Sequence, residues 1–238
     1  KIGSDGTLLA EFYTKDEIPG HIDDQINDLA VAPNGDIFVS AKYNSNVRHY
    51  NSNGILLGSF ELGGANYGNR LVIGQDGKLY AFNSIGIYKY DLSGNLELTI
   101  PSITYSDSVS VDEDGNIYVA RSQTHDVTKY SSTGTVLGLI EPGYSAGAVI
   151  SPNKLIIKDN NLYVADYYQS YVTVKVFDKN TLTYLRKIDG KEDNNPYKVN
   201  ITSSSADGHL NAKFAGGTVG MQRGDYTLID DPNEIPGL

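Results

Sequence analysis

Ser108 to Ala120 reads SVSVDEDGNIYVA, and the fold follows from it. Val109 and Val111 alternate with polar residues, Asp112 to Gly115 form an acidic turn, and Ile117 and Val119 resume the alternation. β-branched and aromatic residues on both sides of an Asp-Gly turn predict a β-hairpin. The stretch recurs as INDLAVAPNGDIFVSA (26–41), RLVIGQDGKLYAF (70–82) and KLIIKDNNLYVAD (154–166). A repeat of fixed period sets the architecture of a whole chain.

A second turn follows each hairpin: YNSNG (50–54), YDLSG (90–94) and YSSTG (130–134). Gly54, Gly94 and Gly134 are 40 and 40 residues apart. The apolar runs ILLGSFEL, NLELTI and TVLGLI come next. Each unit therefore reads as four strands. Strand a is LAVA, LVIG, VSVD or LIIK, and strand b is IFVSA, LYAF, IYVA or LYVAD. Strand c ends in RHY, YKY, TKY or KVF, and strand d is the last apolar run. Four short antiparallel strands per 40 residues predict an all-β chain, a β-propeller of four-stranded antiparallel blades. A lone blade buries too little, so neighbours stack to make the core.

The units fall at residues 21–62, 63–102, 103–142 and 143–190, within one propeller domain spanning 1–238. Residues 1–20 read as half a blade, holding a second turn and strand d. Residues 191–238 read as a degenerate last blade and a tail, with a hairpin recovered in SSSADGHLNAKF. If the N-terminal half completes the last unit, the blades number five. If that unit is complete in itself, they number six, and six is the expectation carried forward. Unpaired strand edges in such a blade invite association with a neighbour.

The totals exclude several function classes. The net charge of −10, with Lys and Arg scattered singly, gives no basic face for nucleic acid. No apolar run approaches the roughly 18 residues of a membrane-spanning helix, so no membrane insertion is expected. With no Cys there are no disulfides, zinc thiolates or Cys nucleophiles. The chain starts at Lys1 rather than Met, as it would after removal of a leader or upstream segment.

The repeat resembles the NHL-repeat propellers. Their pattern of a Gly-Ile-Ala-Val-Asp strand, Asp-Gly-Asn and an Ile-Tyr-Val-Ala-Asp strand is matched by SVSVDEDGNIYVA. NNLYVADYYQSYVTVKVFD (160–178) is also similar to the YVTN surface-propeller repeat. The resemblance covers residues 20–190 well and 191–238 poorly. Such propellers include protein-binding scaffolds, RNA binders, lyases, lactonases and surface-layer components, so the resemblance speaks for fold more than for function.

Candidate binding residues are those that change from blade to blade. Asn27 and Asp28, Asn69 and Arg70, Asp107 and Ser108, Asn153 and Lys154, and Tyr197 and Lys198 precede strand a, at the mouth of a central channel. The Asp that closes strand b in the family pattern is kept at Asp166 and replaced by Ala41, Asn83, Arg121 and, in the last unit, Lys213 or Phe214. Gluconolactonase-like propellers, similar in repeat, hold a divalent metal with Glu, Asn and Asp at that mouth. Asn27, Asp28, Asn69, Asp107, Asn153 and Asp166 are the oxygen donors that would have to converge here. The Asp112 to Asn116 run resembles the start of a calcium loop, but no acid follows at the twelfth position, so it reads as a turn.

His21, His49, His125 and His209 form no close ligand pair, and no nucleophile elbow or phosphate loop is present. Tyr80, Tyr118 and Tyr163 occupy repeat positions and are expected in the core. Tyr43, Tyr67, Tyr105, Tyr144, Tyr167 and Tyr168 fall in connections, where aromatics can meet sugars or proteins. The sequence thus points to a non-catalytic binding or structural module, extracellular or at the cell surface, without a cofactor. Its partner would be a protein or glycan, or further copies meeting through the termini. The alternative is a metal-dependent hydrolase or lyase of the lactonase kind, with calcium or another divalent metal at the channel mouth.

Overall fold

The computed structural model describes residues 7, 26–41, 45–62, 69–101, 103–168, 171–189, 198–204 and 210–215. They form eighteen strands and no helix. The strands in the first unit are β1 (Ile26–Val31), β2 (Ile37–Ala41), β3 (Asn46–Tyr50) and β4 (Leu56–Glu61). In the second they are β5 (Arg70–Ile73), β6 (Leu79–Phe82), β7 (Gly86–Tyr90) and β8 (Leu96–Pro101). In the third they are β9 (Ser108–Val111), β10 (Ile117–Arg121), β11 (Asp126–Tyr130) and β12 (Val136–Ile140). The fourth has β13 (Pro152–Lys158), β14 (Asn161–Tyr168), β15 (Tyr171–Asp178) and β16 (Tyr184–Asp189). Each set is one four-stranded sheet in sequence order, as blades of a β-propeller require. β17 (Lys198–Ser204) and β18 (Leu210–Ala215) pair as a separate hairpin, which matches the hairpin expected from SSSADGHLNAKF.

The chain divides into two compact units, residues 1–117 with 130–136, and residues 118–129 with 137–238. The expected half blade at 1–20, the tail at 216–238, His21, His209, Tyr43 and Tyr67 lie outside the described residues, as do the side chains of Lys198, Lys213 and Phe214.

The second turns of the first three blades and the first turn of the third use one device. At the third blade's first turn, Asp112 Oδ1 accepts the amides of Asp114 (3.1 Å) and Asn116 (2.8 Å), while Gly115 takes φ +77°. At the second blade's second turn, Asp91 Oδ1 accepts from Ser93 and Asn95, both at 2.9 Å, and Gly94 takes φ +88°. A short polar side chain folded onto the next amides, followed by a residue free to be left-handed, makes a tight antiparallel reversal. The fourth blade departs from this. Its first turn is two residues long, and Asp159 occupies the left-handed region at φ +52°. Its second turn puts Leu182 there, at φ +58°.

Each unit has its own core. In the first, Ala30, Ala32, Phe38 and Val47 meet Leu71, Leu79, Ala81, Tyr88 and Tyr90. In the second, Tyr118, Ala120 and Val127 meet Leu155, Ile157, Leu162, Val164 and Phe177. Tyr80, Tyr118 and Tyr163 are buried, as their repeat positions predict. Within each unit, side chains of neighbouring blades meet in these cores.

Candidate functional site

The position expected to close strand b lies two residues before the end of β14 in the fourth blade, and there it ties the blade together. Asp166 is 2% exposed, and its Oδ1 accepts the amides of Ile150 and Ser151, each at 2.8 Å. Its Oδ2 pairs with Lys175 Nζ on β15 at 2.8 Å, and that ammonium also donates to the Ala148 carbonyl. The approach to β13 is therefore fixed by a buried ion pair whose charges are both satisfied, the condition under which burial is tolerated. Asn83 does the same work without charge. Its Nδ2 donates to Asn69 Oδ1 (2.7 Å), and its Oδ1 accepts the amides of Ile85 (2.7 Å) and Gly86 (3.2 Å). Arg121 turns instead to β11, donating to Asp126 and to Thr128 Oγ1 (3.1 Å). Ala41 has no polar group to contribute.

Most residues expected ahead of strand a lie on it instead, because pairing extends past a bulge toward the channel end: Asn27 and Asp28 are in β1, Arg70 in β5, Ser108 in β9, and Asn153 and Lys154 in β13, with Asn69 and Asp107 just before their strands. Asn27 Nδ2 donates to the Asn69 carbonyl (2.6 Å), which also accepts Ser40 Oγ (2.7 Å). Asp28 Oδ2 accepts the Leu71 amide and Oδ1 the Leu29 amide, both at 2.9 Å. Arg70 donates to the Asp107 carbonyl. The structure thus gathers Asn27, Asp28, Asn69 and Asn83 into one network linking the first blade to the second, and Arg70 reaches on to the third. Asn153 is exposed and Lys154 half-buried beside it on β13. Lys198 lies opposite Ala215 on the last hairpin.

The opposite end of the blades holds a cluster that blade-by-blade comparison at the channel mouth passes over. Lys89 stands directly across from Tyr80, with its ammonium 5.5 Å from the ring centroid and 3.0 Å from Asp76. The Tyr80 hydroxyl donates to the same carboxylate at 2.8 Å. Burial, then this bond to Asp76, pushes the phenol well above its ordinary range. Gly74 leaves the space, since a Cβ there would lie 2.9 Å from the Tyr80 ring. In the third blade Lys129 lies 5.2 Å from the Tyr118 ring, and it and the Tyr118 hydroxyl both donate to the Lys179 carbonyl. In the first, His49 stacks on Phe38 at 4.4 Å and meets Asp36 at 2.9 Å. An aromatic on strand b opposite a cation on strand c was readable from the aligned repeats. These contacts are cross-strand supports.

Asp112, the acid of the calcium-like run, is fully buried, and its second oxygen accepts Asn116 Nδ2 at 2.9 Å. His125 has φ +61° and bonds to the Ile150 carbonyl through Nδ1. Among the described residues, no three of His, Asp or Glu are grouped as a metal would need. Tyr144 and Tyr105 are exposed, and Tyr167 packs against the apolar cluster of Ile156, Tyr163 and Val174.

A chain of four-stranded antiparallel sheets repeated in sequence order belongs to the β-propeller class of folds. No family model matches it, and no curated protein matches it in sequence. Among solved structures it is similar to hydrazine synthase from Kuenenia stuttgartiensis, with 13% identity and a TM-score of 0.63, over 83% of this chain and 59% of that one. It is similar to a streptogramin B lyase at 14% identity and TM-score 0.60, over 82% of this chain and 64% of that one. A protein of unknown function from Bacteroides caccae follows at 14% and 0.53, over 79% and 70%. The chain spans less than two thirds of the first two. These likenesses show the propeller fold.

Proposed function

We propose that this chain is a non-catalytic binding or structural module, an NHL-like or YVTN-like propeller exported or displayed at a cell surface. One observation carries the reading. Asn27, Asp28, Asn69 and Asp166, polar residues expected at the channel mouth, tie strands together. Both carboxylate oxygens of Asp28 accept main-chain amides, and both of Asp166 are engaged by amides and Lys175. A metal or a substrate would have to compete with those bonds. The acidic, Cys-free composition suits an exported protein that stays soluble. Its partner is a protein or glycan, or further copies of itself, and it closes as six blades.

The lyase among the structural neighbours has the same fold, and a metal-dependent lactonase or lyase is the reading this one displaces. Opening of simple lactones by the purified protein, with magnesium, calcium or manganese supplied, separates the two. No turnover above buffer is expected. Turnover that Asp28→Asn abolishes would establish the enzyme instead.

A further inference from the structure

We propose that two copies of this chain pair antiparallel along β12, about a two-fold axis at Gly138. The inference deepens the self-association in the reading above, and rests on it, by giving the surface. β12 is the outer strand of its sheet, so alternate backbone groups face away from the blade. Its sequence, VLGLI, is symmetric about Gly138: Leu137 stands against Leu139, and Val136 against Ile140. Val136, Leu137 and Leu139 are 58%, 54% and 41% exposed.

Among the described blades, the strands equivalent to β12 carry features that oppose pairing. β8 has Glu97 and ends in Pro101, and β16 has Arg186, Lys187 and Asp189. β4 repeats the Leu-Gly step at 57–58 but places Ser59 where β12 has Leu139, so a two-fold pair there would set Leu against Ser.

Charge selects a second copy as the occupant. Residues 131–140 contain no charged side chain, so the strip offers nothing to a basic or an acidic partner peptide. The chain as a whole carries −10, and copies repel unless they meet where charge is absent. Glu141 is the nearest acid. In the two-fold pair the two Glu141 residues lie about 20 Å apart at ~3.4 Å per residue. That is more than twice a Debye length of about 8 Å. Leu137 of one copy then opposes Leu139 of the other, an apolar cross-strand pair at each end of the axis.

Because the chain has no cysteine, the register can be tested in an otherwise native protein. Pairing about Gly138 places residue 135 of one copy opposite residue 141 of the other. Thr135→Cys/Glu141→Cys should form a covalent dimer on mild oxidation, and Ser131→Cys/Glu141→Cys should not. In sedimentation, the unmodified chain should self-associate with rising concentration, and Leu137→Glu/Leu139→Glu should weaken this at least tenfold. A chain that stays monomeric, or equal cross-linking by the two cysteine pairs, would overturn the proposal. Association that survives the double Glu variant would overturn the β12 surface while leaving self-association standing. Metal-dependent turnover would instead remove the module reading.

Discussion

Leu29 and Leu155 occupy the same position of strand a, in the first and fourth blades. Leu29 is 55% exposed and Leu155 is 2% exposed. Val31 and Ile157 repeat the contrast. Their strands are equally apolar in sequence, so burial here belongs to the neighbour rather than to the strand. Leu155 sits under the core formed with Tyr118 and Val127, whereas the inner face of β1 presents its side chains to solvent. A repeat protein distributes its stability in this way, through interfaces between units.

The sharpest break of that comparison is truncation at both positions. Leu155→Ala should destabilise by about 2–5 kcal/mol in urea unfolding. Leu29→Ala should change stability by no more than about 0.5 kcal/mol. Similar losses at both would mean that the β1 face is covered in solution.

The strand-b terminus offers a second contrast of nearly equal size. Asp166→Ala strands the Lys175 ammonium in a buried site and should cost about 3–5 kcal/mol. Asn83→Ala removes neutral hydrogen bonds and should cost about 1–3 kcal/mol by the same measurement. If Asn83→Ala proved the more damaging, the charged staple would not be what holds the fourth blade.

Most of the blade plan was legible in the sequence, because turn chemistry and alternation act locally. Asp112, Gly115 and Tyr118 announce a turn, a left-handed residue and a core position from their own identities. The roles of Asp28, Asn69 and Asp166 were not legible as such. Their partners are amides of Leu71, Ile150 and Ser151 and the carbonyl-linked Ser40, set by how strands approach one another. A side chain that bonds main chain leaves no complementary residue in the sequence to reveal it. For this reason the same polar positions read as a ligand surface before the structure and as strand ties after it.

Smaller effects sharpen the contrast between regular and irregular turns. Asp159→Gly relieves a left-handed residue in the fourth blade and should stabilise by about 1 kcal/mol. Gly115→Ala, at the equivalent turn of the third blade, should have the opposite sign.

Acid should loosen the second turns gradually. Asp91 is held below the ordinary carboxylate range by the Asn95 side chain and then its amide, and Asp178 by the Thr181 amide. Lowered values mean that their contribution is complete above about pH 4, the unfolded value, and is lost as pH falls through the folded one. Asp91→Asn should lower the neutral plateau of a stability–pH curve slightly and flatten its acid limb.

The account rests on the polar residues at the start of strand a, and near the end of strand b, being strand ties rather than ligands. Thermal unfolding of the metal-stripped protein, titrated with calcium, magnesium and manganese, tests this most directly. The midpoint should stay fixed with each ion, and Asp28→Asn and Asp166→Asn should lower it equally with and without metal. A midpoint that climbs with one ion, and stops climbing in either variant, would contradict it.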